Sequence, residues 1–528
     1  MNSIMFMLLE LLLLFLWMFL SIYFIRSEFL SSIVVVIVSY VFLWMHRIAL
    51  PVLVSGLYIF YLIVAGEAFL NIIRLQRNED RIKRILHDFV IGSALHISIF
   101  CMFSIFGKGG VAFSRMLSII LFAASIVYIG VIRYSKKRVS FPCAEIPSDT
   151  ELKQEKKSKI WICLALALIG TMLLLQAGRI NMGPDYDSLH YGIRSRYILD
   201  AGNGIYENLG SINKVYMYPK GIEVLALPLN TNITFGYVVS LSWWMSCGIL
   251  ICIFYIVRRF SSRRKGIYAA AFASVLLAIL NTGISAGAAA ATILIQLIAI
   301  IGILDDEYVW AGIAMLFSLA FKSTAVFTTG LIFVISILYI VIKKKKTGIK
   351  HWYISLPVLT AVILITARTV LMTGVPIVMP VPAAEENGQI TSGLTPVKFN
   401  HYGFYDHESD TYDRFVATGN KEIYEFLARD GRQRVLAIAD QPECFGFRCN
   451  VQSYTDIDGP GGNDCFVQGI DCFREFLNNA ETQYIYTNED FLDSHGHAAE
   501  IVELMIADGS LKLIVDEGCN RLYEYVQK

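Results

Sequence analysis

The sequence predicts a polytopic α-helical membrane protein of about twelve transmembrane helices that carries a small extracytoplasmic α/β domain at its C-terminal end. Three observations predict it. Hydrophobic residues make up 55% of the chain, charged residues only 17%, and the mean hydropathy is +0.54, so the chain carries less charge than a soluble protein of its length. Apolar runs of the ~20 residues that cross a hydrocarbon core recur as far as the run 352–372. After residue 400 the composition turns polar and the pattern changes to alternating strands and helices.

Taken in order, the apolar runs lie near 4–25, 29–48, 52–74, 86–107, 111–133, 160–178, 232–257, 267–285, 287–303, 308–321, 323–343 and 352–372. The first is too long for the apolar region of a cleaved signal peptide and lacks a basic leader, so it reads as a spanning helix. Lys322 interrupts 308–343, which predicts two short helices there. Lys and Arg crowd three loops: 136–159 after the fifth run, 258–265 after the seventh and 343–350 after the eleventh. All three fall on one side of the membrane in this count, and basic loops face the cytoplasm. Residues 179–231 and everything beyond 373 then lie outside. The organisation that follows is an N-terminal set of membrane helices (1–135), a basic cytoplasmic loop (136–159), a membrane core (160–380) with the outer loop 179–231, and an extracytoplasmic linker and α/β domain (381–528). The net charge of +1 offers nothing to a nucleic acid partner.

Within the last region, 434–440 and 482–487 read as strands and 464–479 as a helix. Residues 490–509 read as a helix ending at Gly509, and 511–517 with 521–526 as a closing hairpin. Five of the ten cysteines lie in this polar region, enough for two disulfides and a leftover thiol, or equally for free apolar side chains.

The outer loop concentrates ionisable chemistry. GPDYDSLHYGIRSRY (183–197) places Asp185 and Asp187 two apart, on one face of an extended strand, after a Gly-Pro turn. A helix from Ser188 would bring His190 and Arg194 to one side. A carboxylate at a membrane cavity can act as general base toward a hydroxyl or hold a divalent metal before a phosphate, and Arg and His can neutralise that phosphate. The plainer reading, residues that solvate a membrane exit, is equally open for an Asp-x-Asp alone. Three further features bear on the choice. YPKG (218–221) precedes an apolar segment, Lys322 sits inside an apolar region, and Arg368 stands at the outer end of the last apolar helix.

Together these stretches resemble the polytopic GT-C glycosyltransferases that use polyprenyl-phosphate-linked sugars, closest to bacterial members of the dolichyl-phosphate-mannose-protein mannosyltransferase type. YDSLHYGI (186–193) is similar to the family's acidic Asp-x-x-x-Tyr-His motif with His190 and Tyr191 inverted. YPKG resembles its Tyr-Pro-Pro-Gly stretch, FKSTA (321–325) its mid-protein Lys segment, and TGVPIVMP (373–380) its Thr-Gly-Asn-Pro segment. In the family the acidic loop usually follows the first helix; here about five helices precede it, so 1–135 looks like an added membrane module.

The resemblance implies an integral cell-membrane transferase, inverting at the anomeric carbon. It would move a hexosyl or pentosyl unit from a polyprenyl-phosphate-sugar donor to a glycan, lipid or protein acceptor in cell-envelope polysaccharide or glycoconjugate synthesis. Asp187 is then the general base, and Asp185 orients it or holds a metal, although several members of the superfamily work without one. His190, Arg194, Lys322 and Arg368 would meet the donor phosphate, and Tyr191, Tyr218 and Lys220 would line the substrate. Two rivals stand beside this reading: a membrane polysaccharide polymerase or ligase, and a lipid-linked-glycan transporter, although paired repeats of the transporter kind are not visible.

Overall fold

The computed structural model describes residues 3–25, 27–73, 80–136, 155–178, 180, 204–206, 219–231, 236–283, 286–322, 324–343, 355–373, 420–429, 433–439, 447, 449–453 and 469–527. The chain is mostly helical, with a small sheet at its C-terminal end. It begins with α1 (Ser3–Phe24), α2 (Glu28–Met45), α3 (Ala49–Ile72), α4 (Arg81–Ser104), α5 (Val111–Lys136) and α6 (Glu155–Ala177). A short α7 (Gly221–Ala226) runs into a 3-10 turn, Leu227–Leu229. Then follow α8 (Gly236–Phe260), α9 (Arg263–Ser274), α10 (Leu277–Thr282), α11 (Ala289–Leu304), α12 (Tyr308–Ser318), α13 (Ala325–Lys343) and α14 (Leu356–Thr373).

Among the described residues six helices are long and apolar enough to cross a bilayer: α3, α4, α8 and the stretches Val111–Val131, Lys159–Ala177 and Ala325–Ile342. Five shorter apolar helices accompany them, including Leu9–Phe24, Ala289–Leu304 and Leu356–Arg368. Large apolar side chains such as Trp17, Phe29, Trp44, Phe60, Ile119 and Val341 are exposed on the outside of the bundle. That is the pattern of a surface solvated by lipid, because in lipid only the backbone and the polar side chains need shelter.

α4 forms the centre of the bundle and packs on α3, α14 and α5. Its sequence explains the position: Ser93, His96, Ser98 and Ser104 are polar and all buried, which a lipid-facing helix could not satisfy. Where α3 crosses α4 the backbones touch. A Cβ at Gly66 would lie 1.9 Å from the Asp88 carbonyl oxygen, and one at Gly92 1.7 Å from that of Leu62. Small residues at a crossing allow this approach and the dispersion contacts that hold membrane helices together.

One end of the bundle is tied by charge. Lys83 lies 2.6 Å from Glu307 and 3.3 Å from Asp305. Asp305 also accepts from the Tyr255 hydroxyl at 2.9 Å and from Arg259 at 3.0 Å. Arg258 pairs with Asp80, whose side chain also accepts from the Ile82 N–H and so caps α4. Burial pushes the Asp80 carboxyl up, but the hydrogen bonds from Arg258 and Ile82 and the charges of Arg258 and Lys83 outweigh it and hold it below its ordinary value. The His87 ring stacks on Trp310 with centroids 3.9 Å apart.

Lys322 does separate two helices, α12 and α13. The run 267–285 is not one helix: it breaks between α9 and α10. Ser274 donates its hydroxyl to the Ala271 carbonyl at 2.7 Å, and Leu276 is extended (φ −71°, ψ 127°). A serine that bonds back to its own turn competes with the next helical hydrogen bond.

The C-terminal unit contains α15 (Lys421–Ala428), β1 (Arg434–Ile438), β2 (Asn450–Ser453), α16 (Ile470–Asn479), β3 (Tyr484–Asn488), α17 (Glu489–Ser494), α18 (Gly496–Ala507), β4 (Leu511–Glu517) and β5 (Asn520–Tyr525). The strand order is β2-β1-β3-β5-β4, with β1 parallel to β2 and β3, and β5 antiparallel to β3 and β4. β1 is buried along its whole length, as expected of a continuous apolar run flanked by parallel strands. Leu436, Ile438 and Ile485 pack with Phe473 and Leu477 of α16 and Ile501 and Met505 of α18. Val435, Ala437, Tyr486 and Leu522 occupy alternate strand positions, so they belong to the opposite face. Glu517 accepts from the Glu422 and Ile423 N–H groups at 2.9 and 3.0 Å, which places a carboxylate on the N-terminus of α15.

The hairpin and the strands at 434 and 484 follow the expectation, and the helix stops before Gly509, which takes the left-handed conformation at φ 78°. The helix expected over 490–509 is two helices. Ser494 and the His495 ring both bond the Phe491 carbonyl, each at about 2.8 Å, and take the acceptor a continuous helix would use. β2 was not expected at all. Residues 464–468 of the expected helix lie outside the described residues. Cys449, Cys472 and Cys519 are free thiols.

Candidate functional site

α7 and the turn after it, residues 220–230, are buried throughout. Six helical residues rise only ~9 Å, far short of a bilayer. The segment instead lies inside the bundle against α4 and α5. Its irregular ends need partners, because unsatisfied backbone in a low-dielectric interior is costly. At the entry the Gly221 N–H donates to the Ala320 carbonyl at 2.9 Å. A Cβ at Gly221 would stand 2.4 Å from that oxygen, so the YPKG glycine is required by the close approach. At the exit Arg115 of α5 donates to the Pro228 and Asn230 carbonyls at 2.9 and 2.5 Å.

This segment buries an ion pair. Lys220 Nζ lies 2.7 Å from Glu223 Oε1, three residues on, and the two residues are 4% and 1% exposed. Glu223 Oε2 has no hydrogen-bond partner among the described residues. Arg368, near the end of α14, is 1% exposed and acts electrostatically on Glu223, Cys101 and Tyr206. Its Nε donates to the Ile205 carbonyl at 2.5 Å, and the Tyr206 hydroxyl donates to the Leu364 carbonyl at 2.9 Å. Residues 205 and 206 thus hold α14 twice. His96 of α4 is also fully buried, with its ring nitrogens 3.1 Å from the Tyr61 hydroxyl and 3.4 Å from that of Ser114.

The residues singled out from the sequence therefore divide into three groups. Lys220 pairs with the buried Glu223, and Arg368, nearly 150 positions further along the chain, is buried within electrostatic reach of that carboxylate. Lys322 is exposed in the break between α12 and α13, not inside the bundle as expected, although Ala320 two residues earlier receives the Gly221 N–H. A lysine on a helix break reaches the polar boundary more cheaply than it enters the core. Asp185, Asp187, His190, Tyr191, Arg194 and Tyr218 lie outside the described residues.

Glu223, His96, Tyr206 and Arg115 were not anticipated. The signal for Glu223 was present: a carboxylate in the apolar run IEVLALPLN, three residues after a lysine. Among the described residues no group of three His, Cys, Asp or Glu side chains is placed to hold a metal ion.

Such a site can bind and stabilise negative charge. Guanidinium and ammonium groups make strong hydrogen bonds to phosphate oxygens, and in a dry interior those bonds gain strength. The hydrogen bond to Glu223 fixes the Lys220 amino group in place. No protein-family model matches the chain, and neither a curated protein nor a solved structure matches it.

Proposed function

We propose that the chain is an inverting glycosyltransferase that moves a sugar from a polyprenyl-phosphate donor to an acceptor hydroxyl at the outer face of the cell membrane. In this reading the chain crosses the membrane about twelve times, counting the shorter apolar helices. Residues 381–528 then lie on the extracytoplasmic side with the acceptor.

The observation that carries the proposal is the buried Lys220–Glu223 ion pair, with the buried Arg368 of a distant segment within electrostatic reach of the same carboxylate. Buried cations from two segments around one intramembrane carboxylate form a polar site that a merely structural bundle does not need. The acceptor hydroxyl attacks the anomeric carbon opposite the phosphate, and its proton passes to Asp187. The bond from the anomeric carbon to the phosphate oxygen breaks, and the polyprenyl phosphate leaves with the electron pair. Negative charge grows on that phosphate, and Arg368 and Lys220 stabilise it. Asp185, His190 and Arg194 belong to the same outer loop, and Tyr191 and Tyr218 flank the substrate.

The test is transfer from a panel of radiolabelled polyprenyl-phosphate sugars by the purified protein, by Asp187→Asn and by Arg368→Gln. Transfer by the wild type and loss in both variants supports the reading and names the sugar. Full activity of Asp187→Asn removes that residue as the base. No transfer from any donor moves the reading to a polysaccharide polymerase, a ligase or a transporter.

A further inference from the structure

At the end of the C-terminal sheet, where β3 begins and β5 finishes, lies a cleft of about 420 Å³. That is within the ~300–1,000 Å³ of small-molecule sites. Tyr484, Tyr525, Glu481, Glu524, Asn478 and Gln483 line it, with the Tyr484 and Tyr525 side chains on opposite faces of the sheet. The Tyr525 hydroxyl donates to Asn478 Oδ1 at 2.9 Å, which fixes both side chains. Tyr484 is braced edge-on by Phe426 of α15. Glu524 is directly opposite Tyr484 in the ladder, so carboxylate and ring share one face.

Two features set the cleft apart from ordinary surface. Thr482 is one of its lining residues and is 6% exposed, yet its hydroxyl has no hydrogen-bond partner among the described residues. A buried hydroxyl left unpaired in the folded chain is costly unless a ligand satisfies it. Glu481, beside it, holds a left-handed backbone conformation at φ 51°.

The lining chemistry selects the ligand class. Among the described lining residues none is a lysine or arginine, and two are carboxylates, a set that does not favour a phosphate. Glu481 is 3.3 Å from Arg434, which offsets one of its two carboxylates. What remains is a set of acceptors, amide donors and a hydroxyl beside the Tyr484 ring, whose face Glu524 shares. A sugar ring meets this set group by group: its hydroxyls donate to the carboxylates and accept from the amides, and its apolar C–H face covers a tyrosine.

We infer that this cleft binds the acceptor, and that the acceptor is a neutral glycan chain held by one of its sugar rings. The inference rests on the glycosyltransferase reading for the word acceptor, but the binding itself can be tested alone. The probe is a panel of neutral oligosaccharides of gluco, galacto and manno configuration. They are added to the full-length protein in a detergent without sugar head groups and read by saturation-transfer NMR at low and high salt.

At least one member binds saturably and keeps binding at high salt, since no ion pair is involved. Glu524→Ala, at an exposed position, weakens it about tenfold or more, the effect of losing a hydrogen bond to a charged group. Thr482→Val weakens it too while leaving thermal stability unchanged or raised, a combination that a purely structural role would not produce. Absence of binding by every member overturns the inference, as does equal binding by both variants. So does binding confined to amines and lost at high salt, which assigns the cleft to a cation. Sugar transfer with an unchanged acceptor KM in Glu524→Ala removes the cleft and leaves the transferase reading intact. Glycan binding lost in the variants of a protein that transfers no sugar does the reverse.

Discussion

Lys220 and Glu223 face each other across 2.7 Å within one turn of a helix too short to span anything, and nearly all of both side chains is out of contact with solvent. Taking two charges out of water is costly, and their attraction repays that cost only with good geometry. Removing one partner strands the other. Lys220→Met and Glu223→Leu should therefore each lower stability by about 3–5 kcal/mol, while the double variant loses much less than the sum. Denaturation of all three in the same micelles checks this; strict additivity would show that the pair is not coupled. If the site binds the donor phosphate, the double variant folds but does not transfer sugar.

Arg368 is not replaceable by lysine. Its Nε donates to the Ile205 carbonyl as one arm of a planar guanidinium fork, and an ammonium cannot reproduce that fork. Arg368→Lys should retain the charge and still reduce the transfer rate about 10²-fold or more, the usual effect of losing one well-aimed donor. Near wild-type turnover by the lysine variant would mean that charge alone suffices.

Gly221 and Gly312 make a matched comparison. A methyl at Gly221 meets the Ala320 carbonyl oxygen at 2.4 Å, whereas one at Gly312 meets nothing within 4 Å. Gly221→Ala should destabilise by about 1–3 kcal/mol through overpacking. Gly312→Ala, inside α12, should stabilise by about 0.5–1 kcal/mol through helix propensity. Thermal shifts of opposite sign in one assay are the expected outcome.

Asp80 links pH to the end of the bundle where Arg258 grips it. The folded chain holds this carboxyl below the ~3.9 of an unfolded aspartate. A depressed carboxyl contributes stability that is complete above the unfolded value and fades as pH falls through the folded one. Stability from this pair should therefore be constant at neutral pH and decline only below about pH 4. Asp80→Asn should remove that part of the acid decline and cost little elsewhere. An unchanged acid limb in the variant would show that other carboxylates set it.

How much of this was legible in the sequence follows from where each signal resides. Lys220 and Arg368 stood out because a charge among apolar residues is visible one position at a time. The pairing of Lys220 with Glu223, and the burial of Arg368 within electrostatic reach of it, were not, since they depend on how α7 and α14 pack. The break at Lys322 was legible for the same reason as Lys220, but its outward direction was not. Strand β1 announced itself as an apolar run, whereas NVQS at β2 has no strand pattern and becomes a strand by pairing with β1. The breaks at Ser274 and His495 come from side chains that take a carbonyl from the helix, a local competition that periodicity does not record.

The crossing of α3 and α4 has a mechanical consequence. Where Gly66 and Gly92 bring the two backbones together there is no cushion of side chains to slide over. Two helices locked this way behave as one plate, and interlocked packing resists small continuous shifts. Any movement that lets a substrate in or out must then come from elements other than this pair. Spin labels across α3 and α4 should keep their separation through a working cycle.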